Sequence, residues 1–211
     1  GARFGLRPED RYFNCRPFFH VAGTTLSALA SLVAGATLVT LPSFEAGAAL
    51  GATHVLVTAD DPDEARLTAR YAELCAFVRP YGLTADLEFL PWSTVPDLLT
   101  AKRIVAAVAQ PNAGLLVDAL HFGRSTTTLD DIRAIPRSLL HYAQICDAPT
   151  RAQTGRDSSV DEMIHTARCE RLLPGDGTID IAGLFDALPA DLPVSVDVVN
   201  FEREKTADPA Q

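Results

Sequence analysis

From His54 onward the sequence alternates between short β-branched runs and amphipathic helical stretches, with roughly 25–30 residues in each repeat. The runs predict strands at His54–Thr58 (HVLVT), Thr84–Phe89 (TADLEF), Gly114–Asp118, His141–Cys146 (HYAQIC) and Val194–Val199 (VSVDVV). Between the first two, Asp61-Pro62-Asp63-Glu64 reads as a helix start, with Asp61 as cap and Pro62 in the first turn. Leu67, Tyr71, Leu74, Cys75 and Val78 then recur at helical spacing, and Gly82 follows the end. Further helices are predicted around Pro96–Ala109, from Thr128, around Met163, and over Ile181–Leu188 behind an Asp180 cap. Pro174-Gly175-Asp176-Gly177 is a turn. Such alternation implies parallel strands joined by crossover helices. An open doubly wound sheet and a (β/α) barrel compete. No G-x-G-x-x-G or G-x-x-x-x-G-K follows any strand, which weakens the nucleotide-binding open sheet.

A net charge of −9 argues against nucleic acid as a partner. Cys15, Cys75, Cys146 and Cys169 lack metal-finger spacing and read as reduced thiols of a cytoplasmic protein. Val21–Phe44 is long and uncharged, but it holds seven Ser and Thr residues and two glycines and has no flanking Trp or basic cluster. A helix over Thr25–Val33, a turn at Gly35 and a strand at Thr37–Leu41 fit it better than a membrane span.

Four predicted strands carry a polar residue toward their C-terminal half: Glu88, Asp118, Gln144 and Asp197. In a parallel barrel these ends meet on one face, where active sites are built. A buried carboxylate is costly, and several together repel, so a divalent cation is the natural counter-charge. Oxygen ligands suit Mg²⁺ or Mn²⁺, with Co²⁺ also admissible. A lone carboxylate of this kind otherwise reads as a cap or a salt bridge. Trp92 either walls a substrate pocket or packs ordinarily. Arg124 either binds a phosphate or carboxylate or is a solvated loop residue. His54 and His141 read as structural, and His165 has no evident role.

Thr84–Trp92 (TADLEFLPW), Leu115–Ser125 (LLVDALHFGRS), Gln144–Pro149 (QICDAP), Arg171–Asp180 (RLLPGDGTID) and Val194–Val198 (VSVDV) together resemble the sugar phosphate isomerase/epimerase family of xylose-isomerase-like, metal-dependent TIM barrels. The resemblance runs over residues 47–201. It implies that Glu88, Asp118, Gln144 and Asp197 ligate one metal, and that Glu88 and Asp197 exchange a proton with the substrate as base and acid. It also implies that His121 and Arg171 hold substrate oxygens. Gln144 stands where many members have His, and Asp197 where Glu is usual. The implied reaction is isomerisation or epimerisation of a small sugar or polyhydroxy carbonyl compound through an enediolate, with a sugar or polyhydroxy acid as the small-molecule partner. Dehydration of a cyclic hydroxy acid on the same scaffold is the alternative.

Residues 1–46 resemble a different family. Pro17-Phe18-Phe19-His20, Gly23 and Gly35-Ala36 are similar to a stretch of AMP-forming acyl-CoA synthetases and ligases. No phosphate loop accompanies them, so adenylation is not expected and His20 reads as structural. The expected organisation is therefore a βαβ-like leader (1–46), a partial TIM-type barrel (47–201) and a polar tail (202–211). An incomplete barrel leaves an open edge, which predicts homo-oligomerisation and admits an inactive chimeric fragment as a further reading.

Overall fold

Strand order separates the two competing architectures. In the computed structural model, which describes residues 11–14, 37–40, 51–149 and 159–202, five strands form one parallel sheet in the order β3-β4-β5-β6-β7. They are β3 (His54–Thr58), β4 (Thr84–Glu88), β5 (Ala113–Asp118), β6 (Leu140–Ile145) and β7 (Val194–Val196). A doubly wound sheet reverses its order at a switch point. This sheet never reverses, so it is a segment of a singly wound (β/α) barrel, and every strand ends on the same side.

Two further strands, β1 (Arg11–Asn14) and β2 (Thr37–Thr40), pair in parallel with each other. They belong to a separate compact unit, residues 1–52 and 206–211. The expected helix over Thr25–Val33, Cys15, His20, most of the uncharged stretch and most of the polar tail lie outside the described residues. No described helix is long and apolar enough to cross a membrane.

The helices arise where caps and periodicity coincide. Helix α1 (Glu64–Val78) starts two residues later than expected. Asp63, not Asp61, is its cap and accepts from Arg66 N at 3.1 Å. Asp61 instead accepts from Asp63 N and the Arg66 guanidinium. Leu67, Tyr71, Cys75 and Val78 form the buried stripe, with Leu74 at its margin. A short 3₁₀ turn follows, and Gly82 closes it at φ 71°, where a side chain would be strained. Helix α2 (Leu98–Val108) is capped by Asp97. Helix α3 (Ala119–Arg124), which the sequence reading missed, follows β5 directly. A Thr128–Asp131 capping box starts α4 (Leu129–Arg133). Ser159 caps α5 (Val160–Cys169) and Asp180 caps α6 (Ile181–Ala187).

Within each strand the pleat sorts side chains between two faces. In β4, Ala85 and Leu87 face the helical layer, while Thr84, Asp86 and Glu88 share the other face. Parallel register continues that second face into Gly114 and Leu116 of β5, opposite Asp86 and Glu88. Asp118 pairs with Gln144, and Gln144 with Ser195. The central strand β5 is buried throughout, as a covered parallel strand should be. Edge strand β7 departs from this: all three residues are exposed. It also ends at Val196, so Asp197 lies just past the strand instead of within it. Of the described cysteines, Cys75 and Cys146 are buried, Cys169 is partly buried, and all are free thiols.

Tyr71 ties the helical layer to the sheet. Its buried hydroxyl donates to Ala85 O at 2.7 Å and lies 3.2 Å from Gly114 O, bridging adjacent strands. Tyr71→Phe keeps the ring but leaves two buried carbonyls short of a donor. Urea unfolding is expected to report a loss of about 1–3 kcal/mol.

Candidate active site

Asp118 closes β5 and opens α3. Its Oδ1 accepts from Leu120 N at 2.7 Å and His121 N at 3.2 Å, so one carboxylate oxygen stops the strand and caps the helix. The other oxygen meets Arg171 Nη1 at 2.7 Å. The Asp118 side chain is fully buried, and that of Arg171 is 6% exposed. The carboxylate that ends an aliphatic run is therefore a buried charge whose cation arrives from 53 residues away.

Arg171 is held by backbone on both sides. Antiparallel bridges join Asp147 to Leu172 and Glu170 to Asn200. Arg171 N donates to Val199 O, and Asn200 Nδ2 donates to Arg171 O. The guanidinium Nε donates to Ala167 O at 2.9 Å, while Nη1 also reaches Cys146 Sγ and Asp197 O. Asp197 Oδ2 lies 3.4 Å from the same Nη1, and its side chain is one-third exposed. Burial pushes the Cys146 thiol up to about 11, with Asp118 adding to the shift.

Glu88 ends β4 and is buried. Burial foremost, then the nearby Asp118 carboxylate, pushes it up to about 8, although Arg171 acts in the opposite sense. His121 sits in the first turn of α3 and is also buried. Burial drives its imidazole down to about 4, outweighing the pull of Asp118. Both groups are neutral near pH 7, so the 3.7 Å approach of His121 Nε2 to Glu88 Oε1 is not an ion pair. His121 Nδ1 is buried with no hydrogen-bond partner. Trp92 packs edge-on against the His121 ring, with centroids 5.1 Å apart.

Glu88, Asp118 and His121 each offer a ligand atom, all within 4.8 Å of one another. Two carboxylates and an imidazole gathered this closely, with His121 Nε2 3.7 Å from Glu88 Oε1, fit a divalent cation. Of the residues singled out in the sequence, this brings Glu88, Asp118 and His121 together, with Trp92 as a wall. Gln144 stands beside Asp118 by register. Asp197 faces Arg171 at the rim and is not a member of the three-residue group. Arg124 donates to Pro149 O at 2.8 Å.

The sequence reading assigned no role to Asp147, which organises the turn next to the site. Its buried carboxylate accepts from Ala148 N, Ile179 N and Gly175 N, which fastens the Pro174–Gly177 turn. Gly177 is required there because a Cβ would collide with Ala148 O and the Asp147 carboxylate. The signal was present in the sequence: a carboxylate that directly follows an apolar strand.

Comparison with known proteins places this geometry in a wider setting. A family model described as "Xylose isomerase-like TIM barrel" matches residues 35–208, beginning before residue 47, where the sequence led us to expect the barrel to start. An inosose isomerase of Halalkalibacterium halodurans is 30% identical over 121 residues, covering 55% of this chain and 38% of that protein. One from Bacillus licheniformis is 31% identical over 133 residues, covering 62% and 43%. The chain thus spans well under half the length of these relatives. Among solved structures, the IOLI protein with a bound zinc atom superposes with a TM-score of 0.62 at 21% identity, covering 93% of this chain and 80% of that one.

Two outcomes follow for the metal-free protein. Arg171→Met strands the Asp118 charge, and urea unfolding is expected to show a loss of about 3–5 kcal/mol. The pH profile has a defined sign. Glu88 holds its proton in the folded state up to about 8 but loses it near 4.5 when unfolded, so its contribution falls as pH rises through that window. His121 works oppositely between about 4 and 6.5. Stability is therefore expected to decline between pH 6.5 and 8, where Glu88 acts alone, and Glu88→Gln is expected to flatten that decline in chelator-treated protein.

Proposed function

Because the chain belongs to the xylose isomerase-like TIM barrel family, we propose that it is an isomerase or epimerase of a small polyhydroxy ketone, of the inosose or ketose type. The observation that carries this reading is the buried group of Glu88, Asp118 and His121 at the C-terminal ends of adjacent strands. Relatives named as inosose isomerases, and the zinc atom bound by the IOLI protein, support it.

Glu88, Asp118 and His121 hold the divalent ion, with the Gln144 amide oxygen as a neutral neighbour. Asp118 keeps one lone pair for it, on Oδ2, while Oδ1 caps α3 and Oδ2 meets Arg171. The imidazole moves the preference from Mg²⁺ toward Mn²⁺, Co²⁺ or Zn²⁺. When bound, the ion supplies Lewis-acid polarisation of the substrate carbonyl.

The remaining chemistry belongs to the chain's own residues. Glu88 exchanges a proton with the carbon next to the carbonyl. Asp197, on the exposed rim beside Arg171, is the second proton carrier. Arg171 fixes Asp118 and orients Asp197, and its charge favours oxygen atoms that gain electron density. Trp92 supplies an apolar wall that keeps His121 dry. The open rim near Asp197 admits the hydroxyls.

Two measurements test the proposal. Calorimetric titration with Mn²⁺ is expected to show binding that Glu88→Ala and Asp118→Ala each weaken by about tenfold or more. Equal affinity in the variants removes the site assignment. In D₂O, an inosose or ketose substrate is expected to gain deuterium at the carbon adjacent to its carbonyl. Glu88→Gln is expected to stop that exchange, and exchange at the parent rate in Glu88→Gln rules out Glu88 as the proton carrier.

A further inference from the structure

Three titratable side chains gather at the other end of the same face. His54 begins β3, Asp86 lies in the middle of β4, and His141 is the second residue of β6. Asp86 and Glu88 are two residues apart and share a face, so along the strand the two groups are roughly 7 Å apart. We propose that His54, Asp86 and His141 form a second divalent transition-metal site, of the Zn²⁺ class, distinct from the Glu88 group.

Geometry is the first support. The three residues offer ligand atoms all within 4.8 Å of one another. Tetrahedral zinc, with bonds of roughly 2.0–2.2 Å, sets its ligands about 3.5 Å apart, which the 3.8 Å between His54 Nδ1 and Asp86 Oδ2 approaches. Two imidazoles and one carboxylate are a donor set for zinc-like ions and a poor one for Mg²⁺ or Ca²⁺.

The second support is a cradle that only glycine permits. The three ligands come from β3, β4 and β6, and β5 runs between the last two. At that point β5 carries Gly114, opposite Asp86 in register. A Cβ there would collide with Asp86 Oδ1 and stand 2.7 Å from the His141 ring carbon Cε1. The missing side chain lets Asp86 and His141 meet across an intervening strand.

The third support is preorganisation. The Asp86 carboxylate is fully buried. Thr84 Oγ1 donates to its Oδ2 at 2.8 Å, and His141 Nδ1 hydrogen-bonds its Oδ1. Such partners orient ligands in metal sites. His54 Nδ1 lies 3.8 Å from Asp86 Oδ2 and 2.8 Å from Thr84 Oγ1. The His54 and His141 rings stack with centroids 5.6 Å apart. The side chains of His54 and His141 are 30% and 19% exposed, so an ion has a route in and a water can complete the shell. A bound ion would lace β3, β4 and β6 together and stabilise the fold by mass action.

The test uses the whole 211-residue chain, stripped with chelator and titrated with Zn²⁺ by calorimetry, with thermal unfolding in parallel. The parent is expected to bind two ions. His54→Ala and His141→Ala are each expected to bind one and to lose part of the zinc-induced rise in Tm. Glu88→Gln is expected to retain the ion of the second site, and zinc X-ray absorption on that variant is expected to show two imidazole nitrogens. The proposal is overturned if both histidine variants keep the parent stoichiometry, or if Glu88→Gln abolishes all zinc binding. It is also overturned if the remaining ion shows no imidazole ligation, which leaves the three residues as a hydrogen-bonded cluster only. Should His141→Ala fail to fold, His54→Ala and the absorption spectrum still decide. Loss of an ion in His54→Ala with none lost in Glu88→Ala upholds this site and sinks the active-site reading instead.

Discussion

The contact between Asp118 and Arg171 holds the site end of the barrel segment together. A carboxylate with no solvent access needs both a counter-charge and hydrogen bonds. Asp118 obtains the hydrogen bonds locally, from the first turn of α3, and the charge from Arg171 at 2.7 Å. Arg171 is in place only because the segment around it is bridged to Asp147 on one side and Asn200 on the other. One ion pair therefore couples the end of β5, the Pro174–Gly177 turn and the chain leaving β7. Glu88 beside it sits well above its ordinary pKa chiefly because it is buried. Burial raises it, Asp118 raises it further, and Arg171, already engaged with Asp118, only partly opposes them.

The face lined by Asp86, Glu88, Gly114 and Asp118 is unusual in its polarity. Ordinary parallel strands bury apolar side chains on both faces. Here one face of β4 carries Thr84, Asp86 and Glu88 in succession, while Ala85 and Leu87 on the other are packed under helices. Every polar group on it has a specific partner or a neighbouring titratable group. Two separate side-chain clusters result, one at each end, and the pleat makes them neighbours through the two-residue step from Asp86 to Glu88 along β4.

Much of the fold was legible in the sequence. Alternating β-branched runs and helical periodicity located all five strands of the barrel segment to within a few residues, and Thr128 and Asp180 were identifiable as helix caps. The misses have physical causes. Asp63, not Asp61, caps α1, with the Arg66 guanidinium bonding both carboxylates. Helix α3 was overlooked because its cap is also the last residue of a strand. Strand β7 is shorter than its apolar run, since it pairs only with β6 and leaves its side chains exposed. His54 and His141 read as structural when taken singly. Neither residue type nor spacing reveals that they share Asp86.

What the sequence by itself determined is the alternation of elements, and with it parallel strands whose last residues fall on one side. Local periodicity and capping fix these within a few residues of each position. The tertiary structure decided the sheet order, which excludes a switch point, and the pairing of residues far apart in the chain. It joined Arg171 to Asp118, set His121 beside Glu88, and let Asp86 meet His141 over Gly114. Those pairings depend on strand register and on which side chain is absent from an intervening strand, and neither is encoded within any single local window of the chain.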